Sequence, residues 1–232
     1  MFVKDKIIAH RGIYDNKIVF ENTLEAFKLA IKKDYIIELD VHLTKDKKII
    51  VFHDTNIKRI TGINKTIENS TYQELNNQNT IHIPTLKEVL DLVSGKVPLL
   101  IEIKSNNKVG ELETKIMNIL KKYNGKYAIQ SFDPKVLYWF KTNYPNIIRG
   151  QLASKFRKTK LTPIKKIILS NMLLNIITKP QFISYKYNEL SITKIKKYKK
   201  KKITVIGWTI TNLVEFNHYK KYYDNLICEK FL

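Results

Sequence analysis

The sequence predicts an α/β chain folded as a (β/α)8 barrel of the TIM type, with a small insertion after the third strand. Three observations carry that expectation. Short apolar runs alternate with amphipathic stretches along all 232 residues, the pattern of a mainly parallel sheet with helical crossovers. The length fits one such barrel, since single barrels run ~200 to 250 residues. No composition break, linker or internal repeat divides the chain, so a single domain over residues 1–232 is expected, carrying an insertion at 56–83.

In chain order, the apolar runs that read as strands are residues 6–9, 36–41, 49–52, 98–103, 127–130, 147–152, 182–185, 203–208 and 225–228. Between the first two, residues 23–33 place Leu24, Phe27, Leu29, Ala30 and Ile31 on one broad helical face, with Asn22 as N-cap and Glu25 three residues on. Thr85 stands before Leu86, Val89, Leu90 and Val93 at helical spacing, and residues 112–123 and 134–144 repeat the period. Nine runs compete for eight barrel strands. The link between Val41 and Ile49 is too short for a helical crossover, so one of those two runs is expected to pair irregularly. The stretch 56–83 is polar and rich in Asn and Thr, as an insertion on a strand-to-helix loop would be.

Composition narrows the class. A hydrophobic fraction of 44% excludes intrinsic disorder. The one cysteine, Cys228, excludes an intramolecular disulfide and a cysteine-based zinc site. Residues 1–10 hold no apolar run of signal-peptide length, and no run approaches the ~18 residues of a membrane span. A soluble cytoplasmic protein is expected. The net charge is +21, and it is uneven: residues 1–116 carry 18 basic and 16 acidic side chains, residues 117–232 carry 24 and 5. Nucleic acid or an anionic membrane are the partners such a charge suggests. Of the 42 basic residues 38 are Lys and 4 are Arg, and no nucleic-acid-binding module is present, so nucleic acid is not expected as a partner. Abundant Lys, Ile and Asn is also what an AT-rich coding sequence produces. The run Lys199 to Lys202 reads as a solvated face.

Active sites of such barrels lie at the carboxyl ends of the strands, so the polar residues ending each run are the candidates. The first run ends in His10, Arg11 and Gly12, the last of these suited to a backbone turn. The second carries Glu38 and Asp40, two apart and therefore on one side. The third ends in His53 and Asp54, and in the fourth Glu102 and Lys104 share a side. The fifth ends in Gln130, Ser131 and Phe132, and the eighth in Trp208 and Thr209, where Trp208 reads as a core residue. Four successive strands thus deliver ionisable groups at one end, which is costly inside a barrel unless the charges pair or bind a metal. Glu38, Asp40 and Glu102 form an all-oxygen set suited to one divalent cation, Mg²⁺ or Ca²⁺, where zinc would call for more His or Cys. His10 and His53 can act as general base and general acid near neutral pH. Arg11 and Lys104 can hold a phosphate, the first as a planar fork and the second as a point charge. Together these groups are equipped to cleave a phosphodiester.

The order of these pieces resembles the glycerophosphodiester phosphodiesterase family. The resemblance is carried by His-Arg-Gly at 10–12, Glu-Asn-Thr-Leu-Glu-Ala-Phe at 21–27, Glu-Leu-Asp-Val-x-Leu-Thr-Lys-Asp at 38–46, Val-Phe-His-Asp at 51–54 and Arg-x-Thr-Gly at 59–62. Later matches are Ile-Pro-Thr-Leu-x-Glu-Val-Leu at 83–90, Ile-Glu-Ile-Lys at 101–104, Gln-Ser-Phe at 130–132 and Trp-Thr-Ile-x-Asn at 208–212. It implies a metal-dependent TIM-type barrel that hydrolyses a small-molecule glycerophosphodiester to glycerol 3-phosphate and an alcohol. It also implies Glu38, Asp40 and Glu102 as metal ligands, His10 and His53 as acid and base, and Arg11 and Lys104 on the phosphate. The attacker is left open between water and the neighbouring glycerol hydroxyl. The chain departs from the family in three places: Phe20 where Pro is usual, Lys33-Asp34-Tyr35 before the second strand, and Asp224 to Phe231 in place of Asp-Gly-Ile-Ile-Thr-Asp-x-Pro.

Two rival readings belong to other classes. A related lipid phosphodiesterase would act on lysophospholipids or a glycerol-phosphate polymer, in peripheral contact with the inner face of an anionic membrane. Residues 161–178, dense in Ile and Leu and flanked by lysines, motivate it, against an ordinary outer barrel helix. A non-enzymatic anion- or nucleic-acid-binding barrel would predict gaps in the catalytic set, and the sequence has none.

Overall fold

The computed structural model describes residues 1–77, 81–105 and 108–230. Its strands are β1 (Ile8–His10), β2 (Ile36–Leu43), β3 (Ile49–Val51), β4 (Leu99–Ile103), β5 (Tyr127–Ser131), β6 (Arg149–Ala153), β7 (Phe182–Lys186), β8 (Thr204–Ile210) and β9 (Asn225–Cys228). The neighbour order β1-β9-β8-β7-β6-β5-β4-β2, with β1 also paired to β2, closes eight strands into a ring. Every pairing within the ring is parallel. The expected (β/α)8 barrel is therefore present.

The surplus ninth run is β3. It leaves the ring and pairs antiparallel with β2, Val41 opposite Val51 and Leu43 opposite Ile49. The reason is chain length. Only residues 44–48 connect the two strands, enough for a hairpin closed by the Thr44 amide on the Lys48 carbonyl at 3.0 Å, but far too few for a parallel crossover.

The period-2 alternation of the strands divides the inside of the barrel into two storeys. Ile8, Ile36, Leu100, Ala128, Phe182, Ile206 and Ile227 form a dry floor. Two residues further along the same strand faces stand His10, Glu38, Glu102, Gln130 and Trp208. Alternate residues such as Ile37, Leu39, Ile101 and Ile129 point outward and pack under the helical layer.

Helix Leu24–Lys32 is capped by Thr23, whose hydroxyl accepts from the Ala26 amide, rather than by Asn22 as the sequence suggested. Asn22 lies outside the helix at φ +58°. The helix buries Ala26, Phe27 and Ala30, while Leu29 is 39% exposed, so its buried face is narrower than the sequence pattern indicated. Helix Leu86–Val93 opens with a capping box between Thr85 and Glu88. Residues 56–83, of which 78–80 lie outside the described residues, hold helices Lys58–Thr61 and Tyr72–Asn76. There Ile57, Ile67, Leu75 and Ile83 pack on Ile50 and Phe52 as a small core of their own. Among the described residues no helix is long and apolar enough to cross a membrane.

Gly12 joins β1 to the first helix at φ +85°, and a Cβ there would lie 2.8 Å from the Ala26 backbone and Cβ. Left-handed backbone and close approach both require glycine. Gly12→Ala is expected to destabilise the fold by on the order of 2 kcal/mol, read as a lower urea midpoint in chemical unfolding.

Candidate active site

Strand register brings the charged groups together. His10 is the lateral neighbour of Glu38 on β2, Asp40 of Glu102 on β4, and Glu102 of Gln130 on β5. Glu38, Asp40 and Glu102 are all buried, and each offers one oxygen such that the three lie within 4.8 Å of one another.

Three like charges in one dry pocket must be offset. Lys104 donates to Glu102 and lies 2.9 Å from Asp40. Arg11 sits at φ +58°, which turns its amide to Glu38 at 3.2 Å and its guanidinium to Asp40 at 3.4 Å. Asn22 Nδ2 donates to Asp40 at 2.9 Å, and Gln130 Nε2 to Glu38 at 3.3 Å. The three carboxyls respond differently. Burial pushes Glu38 well up, and its neighbours Asp40 and Glu102 push it further. Burial likewise raises Glu102, to about 6, against the pull of Lys104. For Asp40, burial is outweighed by Lys104, His53 and Arg11, and its carboxyl is held well below the usual range. Two carboxyls thus remain undercompensated by the protein's own cations. A hard, all-oxygen pocket with that surplus of negative charge fits a divalent cation.

Each histidine is backed by a carboxylate. His10 Nδ1 donates to Glu229 Oε2 at 2.7 Å, and Tyr14 donates to the same oxygen at 2.7 Å. His53 Nδ1 donates to Asp54 Oδ1 at 2.6 Å. With Nδ1–H committed, the neutral ring keeps Nε2 as its free acceptor. Burial lowers both imidazoles, that of His53 to about 4, and so favours the neutral rings while the pocket holds no anion. Asp54 is in turn held by Arg59 at 2.7 Å, and Arg59 reaches Glu21 at 2.7 Å, which also takes Arg11 at 2.6 Å. One continuous chain of ion pairs therefore joins the His53 loop, the insertion and the loop after β1.

Six of the seven sequence-derived candidates, His10, Arg11, Glu38, His53, Glu102 and Lys104, line one pocket, and Asp40 is buried beside Glu102 and Lys104. The rim of the pocket is completed by Phe132, Trp208 and Thr209. Trp208 is half-buried on that rim rather than in the core. Sequence reasoning assigned no role to Asp54, although it stands among the strand-end candidates, and did not single out Asn22, read as a helix cap, or Glu229, Glu21 and Arg59. Glu229 follows directly on the last apolar run, so the strand-end rule applied to 225–228 would have found it. Glu21, Asp54 and Arg59 belong to the family-like motifs at 21–27, 51–54 and 59–62, but their roles show only in the contacts of Arg59 with Glu21 and Asp54.

Glu21 is buried between two guanidiniums. Burial alone would raise its carboxyl, but Arg59 and Arg11 outweigh that and bring it down to about 2. Stabilisation from a depressed carboxylate is complete above the unfolded value and is lost as the pH falls through the folded one. Glu21→Gln is expected to cost on the order of 3 kcal/mol at pH 7, with the difference from wild type shrinking between about pH 4.5 and 2 in urea titrations.

Known proteins share this architecture and chain. YhdW of Bacillus subtilis (strain 168) is 28% identical over 219 residues, which cover 89% of this chain and 86% of that protein. A Caldanaerobacter subterraneus protein named glycerophosphodiester phosphodiesterase is 36% identical over 165 residues, covering 65% of this chain and 67% of its own. The crystal structure of the glycerophosphodiester phosphodiesterase of Thermotoga maritima superposes with a TM-score of 0.76 at 28% identity, covering 96% of this chain and 93% of that one. The model of the glycerophosphoryl diester phosphodiesterase family matches residues 10–226, and the chain belongs to that family.

Proposed function

We propose that the protein hydrolyses glycerophosphodiesters to sn-glycerol 3-phosphate and an alcohol, with one divalent cation, Mg²⁺ or Ca²⁺, held by Glu38, Asp40 and Glu102. The observation that carries the reading is the convergence of three buried carboxylates, two carboxylate-backed histidines and two cations on one pocket. Family membership and the name of the Caldanaerobacter relative support the same reaction class. When bound, the cation would polarise a phosphoryl oxygen and lower the charge barrier to attack.

The protein's own groups do the rest. Arg11 and Lys104 face the phosphoryl oxygens and offset the charge that grows on them in the transition state. One histidine takes the proton of the attacking oxygen through Nε2 as the new P–O bond forms. The other, which enters the step as the imidazolium favoured beside the bound anionic phosphodiester, gives its Nε2 proton to the leaving alkoxide as its P–O bond breaks. Glu229 and Asp54 hold the rings in the tautomer this requires, and they stabilise the imidazolium that forms in turn. The rim aromatics Phe132 and Trp208 keep bulk water from that side of the pocket. The reading treats residues 1–232 as one catalytic domain with 56–83 inserted into it. It places the protein in the cytoplasm, where its single buried free cysteine is stable.

His53→Ala and Glu102→Ala are each expected to lower turnover of glycerophosphoglycerol by at least about 10²-fold, followed as enzymatic detection of released glycerol 3-phosphate. Wild-type turnover in either variant would overturn the assignment. Chelation should abolish activity and added Mg²⁺ or Ca²⁺ restore it, whereas Asp40→Asn should show no saturable uptake of the cation in calorimetry.

A further inference from the structure

Three exposed aliphatic side chains stand at the barrel mouth, one on a loop and two in the first turns of the helices Pro163–Ser170 and Leu213–Tyr219, and the reaction chemistry uses none of them. Ile18 is 86% exposed on the loop after β1, Ile164 is 71% exposed after β6, and Val214 is 80% exposed after β8. The strands of the ring are parallel, so loops that follow them lie at the end where His10, Lys104 and Ser131 stand. Ile164 and Val214 belong to helices that bury none of their side chains, so an aliphatic surface of this kind around one opening is left for a partner to cover.

Cations accompany the tips. Residues 154–162, the loop after β6, carry Lys155, Arg157, Lys158 and Lys160 and no acidic side chain. Lys165 and Lys166 follow on helix Pro163–Ser170, which buries no side chain fully, unlike the ordinary outer helix the sequence offered as one option. An aromatic row connects this surface to the reacting centre. Phe132, on the rim of the site, meets Trp208 edge-on at 5.6 Å and Phe156 at 5.9 Å. From Phe132 and Phe156 an open groove of about 700 Å³ runs outward past Leu161, Ile168 and Leu169.

Resting on the phosphodiesterase reading above, we propose that the barrel mouth docks on an anionic lipid bilayer. Ile18, Ile164 and Val214 enter the interface and the 154–166 cations lie against the headgroups, so that the site opens on the membrane surface. Apolar tips alone would suit any greasy partner. The net positive charge beside them, offset in part by Glu189 against the Lys155 amide, selects an anionic surface, and the groove borders the catalytic pocket at Phe132.

The test is co-sedimentation of the full chain with vesicles of phosphatidylglycerol and phosphatidylcholine in equal parts, against phosphatidylcholine alone, at near-physiological salt. The wild-type chain is expected to pellet at least about tenfold more with the anionic vesicles. I18D/I164D/V214D is expected to lose about tenfold of that binding while hydrolysing soluble glycerophosphoglycerol at the wild-type rate, which shows that it is folded. R157E/K158E/K160E should keep the same soluble activity and lose the preference for anionic vesicles. Equal pelleting with both vesicle types, or unchanged binding of both variants, would overturn docking. Binding by a chain inactive on the soluble diester would instead overturn the phosphodiesterase reading and leave docking standing.

Discussion

The mutual repulsion of Glu38, Asp40 and Glu102 is the constraint around which the upper half of the barrel is organised. Three carboxylates within 4.8 Å in a buried pocket are unstable unless positive charge and donors are brought to them. The chain brings Lys104 from β4, Arg11 from the end of β1, Asn22 from the next loop and Gln130 from β5. Asp40 receives most of this compensation and stays ionised, while burial and the Asp40 charge raise both Glu38 and Glu102. The remaining surplus of negative charge is one that a divalent cation would offset. The apolar floor below the pocket keeps the local dielectric low, so both the repulsion and its relief are strong.

The same constraint explains the backbone at the end of β1. Arg11 can offer its amide to Glu38 and its side chain to Asp40 and Glu21 only in the left-handed conformation it adopts. Gly12 then carries the chain past Ala26, where no side chain fits. The insertion is tied into this arrangement through Arg59, which clamps Asp54 behind His53 and Glu21 behind Arg11. A segment with its own small core is thereby joined to the orientation of one imidazole. At the other side of the pocket the last strand performs the matching task, since Glu229 fixes His10.

Charge divides the molecule by task. Residues 1–116, nearly balanced at 18 basic to 16 acidic, supply every one of the seven sequence-derived site residues. The surplus lies in residues 117–232, with 24 basic to 5 acidic, on surfaces that include the mouth loop after β6. Long-range attraction of an anionic substrate or surface follows from that surplus, whereas the chemistry follows from a few paired charges inside.

By itself the sequence determined the fold class, since strand and helix periods of 2 and 3.6 are local properties that hydrophobic patterning writes directly. It also named the groups that meet: alternation puts Glu38 with Asp40 and Glu102 with Lys104 on one side of their strands, and the strand-end rule adds His10 and His53 as candidates. Only the tertiary structure decided which of nine apolar runs left the ring, because that turned on whether five linking residues close a hairpin. Likewise Asn22 reads locally as a helix cap and Glu229 as a polar residue near a terminus. Their contacts with Asp40, 18 residues away, and with His10, 219 residues away, exist only once the barrel has closed. Periodicity reports the face a residue occupies; the partner across that face is set by register and closure, which no single segment encodes.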